Sequence, residues 1–556
     1  MRKLFLLILS CMLLSQCKKT SEKVQEPKNE EVKASPFAWE AANVYFLLTD
    51  RFNIGNPNKK IPIDRDKTTG LLRNFMGGDI AGITQKIEEG YFDKLGVNAI
   101  WLTPVIEQIH GSVDEGTGNT YAFHGYWAKD WTTLDPNFGT LEDLKAMVKS
   151  AHDRGIRILL DVVVNHTGPV TDLDPVYPED WVRTGPQCEY TNYENTTSCT
   201  LVANLPDVRT DSEKEVELPP MLIEKWQKEG RLEQEIAELD AFFERTGYPR
   251  APRFYIIKWL TDYITDLGVD GFRVDTVKHT QAHVWKELEE QASYYFKKWK
   301  QDNPEKVLDD NPFYMVGEVY GYGVSGGRMY DFGNKKVDFF DNGFKSLINF
   351  EFKSDAHKDY ETVFSKYDSI LSTTLKDKSV LNYLSSHDDG QPFDQNRENS
   401  FKAGNMLLLT PGASQIYYGD ESLRPLLIPG TDGDATLRSF MNWEDLERDS
   451  LSKATFDHYS KLGRFRKDHP AVGGGKHEMI SKDPYLFKRS YTTDGFMDKV
   501  LIGLDLSEGE KIIEVASVFE DGTMVRDAYS NTMVKVASGK AVIDSPFTVV
   551  LLEKTK

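Results

Sequence analysis

Gly271-Phe-Arg-Val-Asp-Thr-Val-Lys-His279 places an arginine two residues before an aspartate at the end of a short apolar run. Alternate side chains of a strand share a face, so Arg273 and Asp275 are expected to point the same way. A guanidinium beside a carboxylate favours the ionised form, which suits a nucleophile and not a general acid. Lys278 and His279 follow in what reads as a loop, where a bound ligand would lie if the strand belongs to an α/β barrel. Taken alone, the segment equally fits a strand with a structural ion pair.

The same pattern, an apolar run ending in polar groups, recurs along the chain. Ile158-Leu-Leu-Asp-Val-Val-Val-Asn-His166 ends in Asn165 and His166, Tyr314-Met-Val-Gly-Glu-Val319 delivers Glu318, and Val380 to Asp389 delivers His387 and Asp388. Continuous apolar runs suit strands buried on both faces, as in parallel sheets. Helical patterns lie between them, from Leu141 to Arg154, Tyr255 to Leu267, Ala282 to Lys300 and Tyr360 to Leu371. Strand and helix in alternation, with polar strand ends, predict an α/β fold of the (β/α)8 TIM-barrel type.

As a set these segments resemble the α-amylase family, glycoside hydrolase family 13, from about Phe37 to the C-terminus. Asp161 to His166, Gly271 to His279, Gly317 to Tyr320 and Tyr383 to Asp388 resemble its four conserved regions, in family order. Gly96 to Pro104, His124-Gly-Tyr-Trp127, Leu205-Pro-Asp-Val208 and Gly412 to Glu421 are supporting matches. One departure is Ser385-Ser386 before His387, where many members carry Asp-Asn. It leaves the reacting groups intact.

The resemblance implies a retaining glycoside hydrolase with Asp275 as nucleophile, Glu318 as general acid/base and Asp388 as a third acid on the sugar hydroxyls. Such a pair needs its carboxyl groups about 5–5.5 Å apart. Val316 and Val319 flank Glu318, a setting able to raise its pKa. His166 and His387 would hydrogen-bond the reacting sugar and Tyr126 would stack on it, while Trp127 is expected in the core. Arg273 would hold Asp275, with Asp161 orienting Arg273. Lys278 and His279 would line the leaving-group side. Calcium is implied as cofactor, held by Asn165, Asp207 and the carbonyl of His279, all oxygen donors of the kind a hard cation takes. A second calcium site near Asn56 and Asp79, present in some relatives, is argued against by Ile54, which stands where they carry an aspartate.

Length and composition agree with this reading. With 556 residues the chain can form several domains, and its net charge of −20 speaks against a nucleic-acid partner. Residues 1–17 read as an export signal: Arg2 and Lys3, then an apolar run to Leu14 too short to span a membrane. Leu14-Ser-Gln-Cys17 resembles a bacterial lipoprotein signal, although Gln16 replaces the usual small residue. Ile8-Leu-Ser-Cys11 keeps that rule with a shorter apolar core, and ordinary secretion is the alternative. Residues 18–36, rich in Lys and Glu, read as a disordered tether. Membrane association is expected only through such a lipid, and the chain is expected to be a monomer.

The barrel is expected over residues 37–166 and 253–470, interrupted by domain B at 167–252 and followed by a C-terminal antiparallel β-sandwich, domain C, at 471–556. Cys188 and Cys199 form a close pair that would join as a disulfide in an oxidising compartment. The stretch from Met221 to Arg245 reads as a solvated surface helix, with a part in shaping the cleft as the alternative.

The function implied is an exported α-amylase that cleaves internal α-1,4-glucosidic bonds of starch, glycogen or maltodextrins. Leu205-Pro-Asp-Val208 resembles the α-amylase form of that motif rather than those of oligo-1,6-glucosidases or neopullulanases. A cyclomaltodextrinase-like or transglycosylating relative is the nearest alternative. The chain stops after domain C, which counts against a cyclodextrin glucanotransferase with extra domains. A non-catalytic glucan-binding lipoprotein would be expected to lack one of the acids, and all are present.

Overall fold

The computed structural model describes residues 35–555 apart from Asp494. The leader and tether expectations fall outside these residues, positions 35 and 36 aside. Eight parallel strands close into a barrel: β1 (Asn43–Leu47), β2 (Ala99–Leu102), β3 (Arg157–Val162), β4 (Gly271–Val274), β5 (Tyr314–Gly317), β6 (Ser346–Asn349), β7 (Ser379–Tyr383) and β8 (Ala413–Tyr417). Each pairs with its sequence neighbour and β8 closes on β1. All six residues of β3 are buried, as an apolar run enclosed on both faces requires.

The surrounding helices include α1 (Ile80–Glu88), α2 (Leu141–His152), α3 (Pro220–Glu229), α4 (Leu232–Thr246), α5 (Pro252–Leu267), α6 (Ala282–Asp302), α7 (Tyr360–Ser372), α8 (Ser400–Leu409) and α9 (Ser450–Asp468). Local chemistry sets their ends. Thr140 and Asp143 form a reciprocal capping box at α2, and α5 runs from Pro252 in its first turn to Gly268 in the left-handed region. The β5–β6 connection carries the short hairpin Met329–Asp331/Lys336–Asp338 where a barrel helix would stand.

Between β3 and α5 the chain forms a two-stranded ribbon, Val182–Arg183 with Asp207–Val208, and the expected Cys188–Cys199 disulfide. The Met221 to Arg245 stretch departs from the solvated single helix expected. It is two helices, broken at Gly230 (φ +74°), and it buries Leu222, Trp226, Leu239, Phe242 and Phe243. Its many charges hide an apolar stripe that packs beside α5.

After α9 an antiparallel six-stranded sheet runs in the order Lys476–Lys482, Tyr485–Thr493, Phe496–Leu504, Val550–Lys554, Met524–Asp527, Thr532–Lys535. A two-stranded antiparallel sheet of Gly509–Glu514 with Lys540–Ser545 covers it over a core including Leu501, Ile513, Val525, Ile543 and Val550. The sandwich architecture expected from the short strands is present.

Candidate active site

The site is assembled at the C-terminal ends of the strands. In the register of β3 and β4, Arg273 lies directly opposite Asp161, both on the inward face. Arg273 Nη1 donates to Asp161 Oδ1 at 2.9 Å and to Asp275 Oδ1 at 2.7 Å, while Nη2 lies 3.0 Å from Glu318 Oε2. One buried guanidinium thus joins the carboxylates that follow β4 and β5. Close strand packing makes this possible. A Cβ on Gly271 would lie 2.3 Å from the Tyr314 carbonyl oxygen, so only glycine fits there.

Thr276, next to Asp275, has φ +46°. That conformation is strained for a β-branched residue, and it turns the Thr276 N–H onto Glu318 Oε2 at 3.0 Å. Strain at this junction therefore serves the contact between the two strand ends.

Electrostatics separate the acids. Burial raises Asp275; Arg273 opposes this, and nearby Asp161 adds to it, for a pKa of about 6. Burial raises Glu318 further, to about 7, against Arg273 and with help from Asp275 and Asp388. Desolvation outweighs Arg273 at Asp275, which nonetheless ionises before Glu318. Asp388 behaves oppositely. Desolvation pushes it up, but His387 and Arg438 outweigh that and hold it well below the usual carboxylate range.

Asp388 sits at the mouth, its side chain 42% exposed, with His387 Nε2 at 2.9 Å and Arg438 Nη2 at 2.6 Å. Its neighbour Asp389 is tied to Tyr383 and Lys353, which leaves Asp388 as the acid presented to the cleft. Tyr126 donates to Asp161 Oδ2 at 2.7 Å and stacks beside the His387 ring at 5.2 Å. His166 donates to the Tyr126 carbonyl at 3.1 Å, and burial lowers its pKa to about 4, so it is neutral. Trp127 is in a buried apolar cluster, as expected.

Lys278 and His279 diverge. Lys278 Nζ reaches the Tyr320 carbonyl at 3.2 Å and lies 5.2 Å from the exposed Tyr320 ring, at the mouth. The His279 ring is buried, donating to the Thr196 carbonyl at 3.1 Å inside the disulfide-bearing insertion. Ser385 turns its hydroxyl to Asp420, 2.6 Å away, so this departure from the family pattern is absorbed behind the cleft.

Two contributors are not among the site residues expected from the sequence. Arg438, on the turn Gly433–Arg438, binds Asp388, the His387 carbonyl and Asp434. Trp101 at the end of β2 donates to Asp161 at 3.0 Å and has the Arg273 guanidinium 4.9 Å from its ring. Trp101 lies in the quoted Gly96 to Pro104 match, which could have singled it out; Arg438 lies outside every matched segment.

Of the expected calcium ligands, Asn165, Asp207 and His279 are all buried, and Thr280, which follows His279, donates to Asn165 Oδ1 at 3.2 Å. Asn165 and Asp207 are adjacent through the Val208 N–H, which donates to the Asn165 carbonyl at 2.8 Å. Asp207 Oδ2 is 3.0 Å from Arg183, whereas its buried Oδ1 has no hydrogen-bond partner, and burial pushes Asp207 up to about 8. An orphaned carboxylate oxygen fits a hard cation, although Arg183 already faces the other oxygen of this carboxylate. Among the described residues no group of three His, Cys, Asp or Glu side chains is arranged to hold a metal ion, and the expected set contains only one carboxylate. At Asn56 and Asp79, Lys59 Nζ holds the Gly77 and Gly78 carbonyls and Asp79 Oδ2 at 2.9, 3.2 and 3.2 Å.

Comparison with known proteins places this geometry. The family model described as alpha amylase, catalytic domain, matches residues 46–425. The periplasmic alpha-amylase of Escherichia coli K12 is 36% identical over 531 residues, covering 84% of this chain and 72% of that protein. A cyclomaltodextrin glucanotransferase of Bacillus sp. strain 6.6.3 is 28% identical over 519 residues, covering 90% of this chain, which spans 64% of its length. A solved cyclomaltodextrin glucanotransferase with a three-domain ABC distribution shares the fold, with a TM-score of 0.61 and 22% identity over 93% of this chain and 99% of that one. The chain belongs to the α-amylase family of glycoside hydrolases.

Proposed function

We propose that this enzyme hydrolyses internal α-1,4-glucosidic bonds of starch, glycogen or maltodextrins with retention at the anomeric carbon. The observation that carries the reading is Arg273 bridging Asp275 and Glu318, with Glu318 the weaker acid of the two. Glu318 protonates the leaving glycosidic oxygen as Asp275 attacks the anomeric carbon, giving a covalent glycosyl-enzyme. Glu318, now ionised, takes a proton from water. The resulting hydroxide displaces Asp275 and frees the sugar, restoring both groups.

Asp388, ionised and exposed, and His387 and His166 hold hydroxyls of the reacting sugar, and Tyr126 offers its ring. Lys278 serves the leaving side. Asn165, Asp207 and the His279 carbonyl would hold calcium, which would pin the insertion to the barrel. Domain limits at 167–252 and 471–556 belong to the same reading.

Transglycosylation is the second reading, favoured by the glucanotransferase likeness. The three-domain glucanotransferase removes the argument from chain length against it. Export is supported by the leader pattern, the Cys188–Cys199 disulfide and the likeness to a periplasmic enzyme. No helix among the described residues is long and apolar enough to cross a membrane, and attachment through a lipid on Cys17 is part of the proposal. The test is reducing-sugar release from soluble starch, with calcium and then chelator, followed by chromatography of products. Linear maltooligosaccharides support hydrolysis, cyclic or lengthened products the second reading. Untouched starch and maltodextrins would refute both.

A further inference from the structure

A cavity of about 1010 Å³ lies on the outer flank of the barrel, between α4, α5, α6 and the Trp131–Leu134 segment. It shares no lining residue with the catalytic cleft. Its volume is at the upper end for small-molecule sites. The charged helix α4, which the chemistry of the cleft does not use, forms one wall through Gln234, Glu235 and Glu238.

The lining is built and not merely a seam. Lys258 is pinned between Glu238 at 2.8 Å and Asp262 at 2.7 Å, which ties α4 to α5. Tyr294 and Tyr295 on α6 meet edge to face at 5.2 Å. Arg245 lies 4.2 Å from the Tyr294 ring and donates to Gln291 at 2.7 Å and the Tyr295 hydroxyl at 3.2 Å. Tyr294 is nonetheless 45% exposed, a large ring held in place with much of its surface in water.

The chemistry of the lining selects the ligand. As many basic as acidic side chains line the cavity, in a chain whose overall charge is −20. A balanced wall of fixed donors and acceptors beside aromatic rings disfavours a polyanion or a strongly charged peptide. It suits an uncharged, polyhydroxylated ligand whose C–H faces pack on tyrosine while its hydroxyls bond to paired carboxylates and ammoniums. We propose that this groove is a second, non-catalytic binding site for a linear α-glucan, with Tyr294 and Tyr295 as its platform. It would hold polymer on the enzyme while the cleft cuts. The inference rests on the α-glucan reading above.

The test compares Glu318→Gln with the same protein carrying Tyr294→Ala and Tyr295→Ala, by migration in native gels with and without glycogen. Removing the platform is expected to weaken glycogen retardation roughly tenfold. In the active enzyme, Tyr294→Ala with Tyr295→Ala should leave kcat/KM on a short maltooligosaccharide unchanged, which also reports correct folding. Should the double change unfold the chain, Tyr294→Ala alone, at the exposed ring, provides the comparison. Equal retardation with and without the tyrosines overturns the groove proposal while leaving hydrolysis standing. Failure to cleave maltooligosaccharides at all removes the underlying reading instead.

Discussion

Asp161 and Arg273 face each other in register across adjacent barrel strands, with Arg273 Nη1 2.9 and 3.1 Å from the two carboxylate oxygens. Asp161 also accepts from Trp101 and Tyr126, so one buried carboxylate orients a cation, an indole and a phenol at once. Its charge raises Asp275, after burial and against Arg273. Asp161→Asn should therefore lower kcat and move the acidic limb of the pH–rate profile to lower pH, because Asp275 then ionises more readily. Loss of rate with an unmoved limb would reduce Asp161 to a packing role.

The pH profile of the wild type follows from the separation of the acids. The proposed mechanism requires Asp275 ionised, which is gained as pH rises through about 6, and Glu318 protonated, which is lost as pH rises through about 7. A narrow bell in kcat/KM, highest between those values, is expected for maltooligosaccharide cleavage. Glu318→Gln should cost at least ~100-fold and abolish the alkaline limb. A broad plateau extending well above pH 8 would sink the assignment of Glu318 as the acid.

Much of this site was legible because chemistry sits at strand ends. Arg273 and Asp275 were readable as a same-face pair from period-two alternation, and the contact to Glu318 follows from β4 and β5 being neighbours. Arg438 was not. It reaches Asp388 from a turn fifty positions on, and nothing local marks a lone arginine in a loop as a ligand of a distant acid. The His279 ring was expected near substrate, but its neighbours are set by how the Thr196 segment docks. Charge density hid the buried Trp226 and Phe242 of α3 and α4.

His469, just beyond α9, lies 2.8 Å from Asp498 and 2.5 Å from Glu553, both on strands of the C-terminal sheet. Burial alone would lower its pKa, but the two carboxylates outweigh it and push it up to about 9. The raised value means its stabilisation is fully present below the unfolded pKa of about 6.5 and is lost as pH rises through about 9. The contribution is at most roughly 3 kcal/mol. Thermal melts from pH 6 to pH 10 should show wild type losing its advantage over His469→Gln as pH rises. A constant difference across that range would contradict a charged His469.

Lys59 holds two carbonyls and Asp79, an oxygen set of the kind a hard cation would take. Asp79 also caps α1 through Gly82 and accepts from the Gly55 and Asn56 N–H groups, so this ammonium neutralises a carboxylate on which a whole loop turns. The arrangement gives a physical account beyond Ile54 for expecting no second calcium here: the cationic position is filled covalently. Lys59→Ala should lower Tm in chelator by several degrees, since it leaves a nearly buried carboxylate without its cation. Added calcium should then restore more stability to the variant than it adds to wild type, whose response would report only the site proposed at Asp207. Scanning calorimetry of both proteins, with calcium and with chelator, measures that difference. Equal calcium responses would show that the oxygens around Lys59 cannot accept a metal ion in its place.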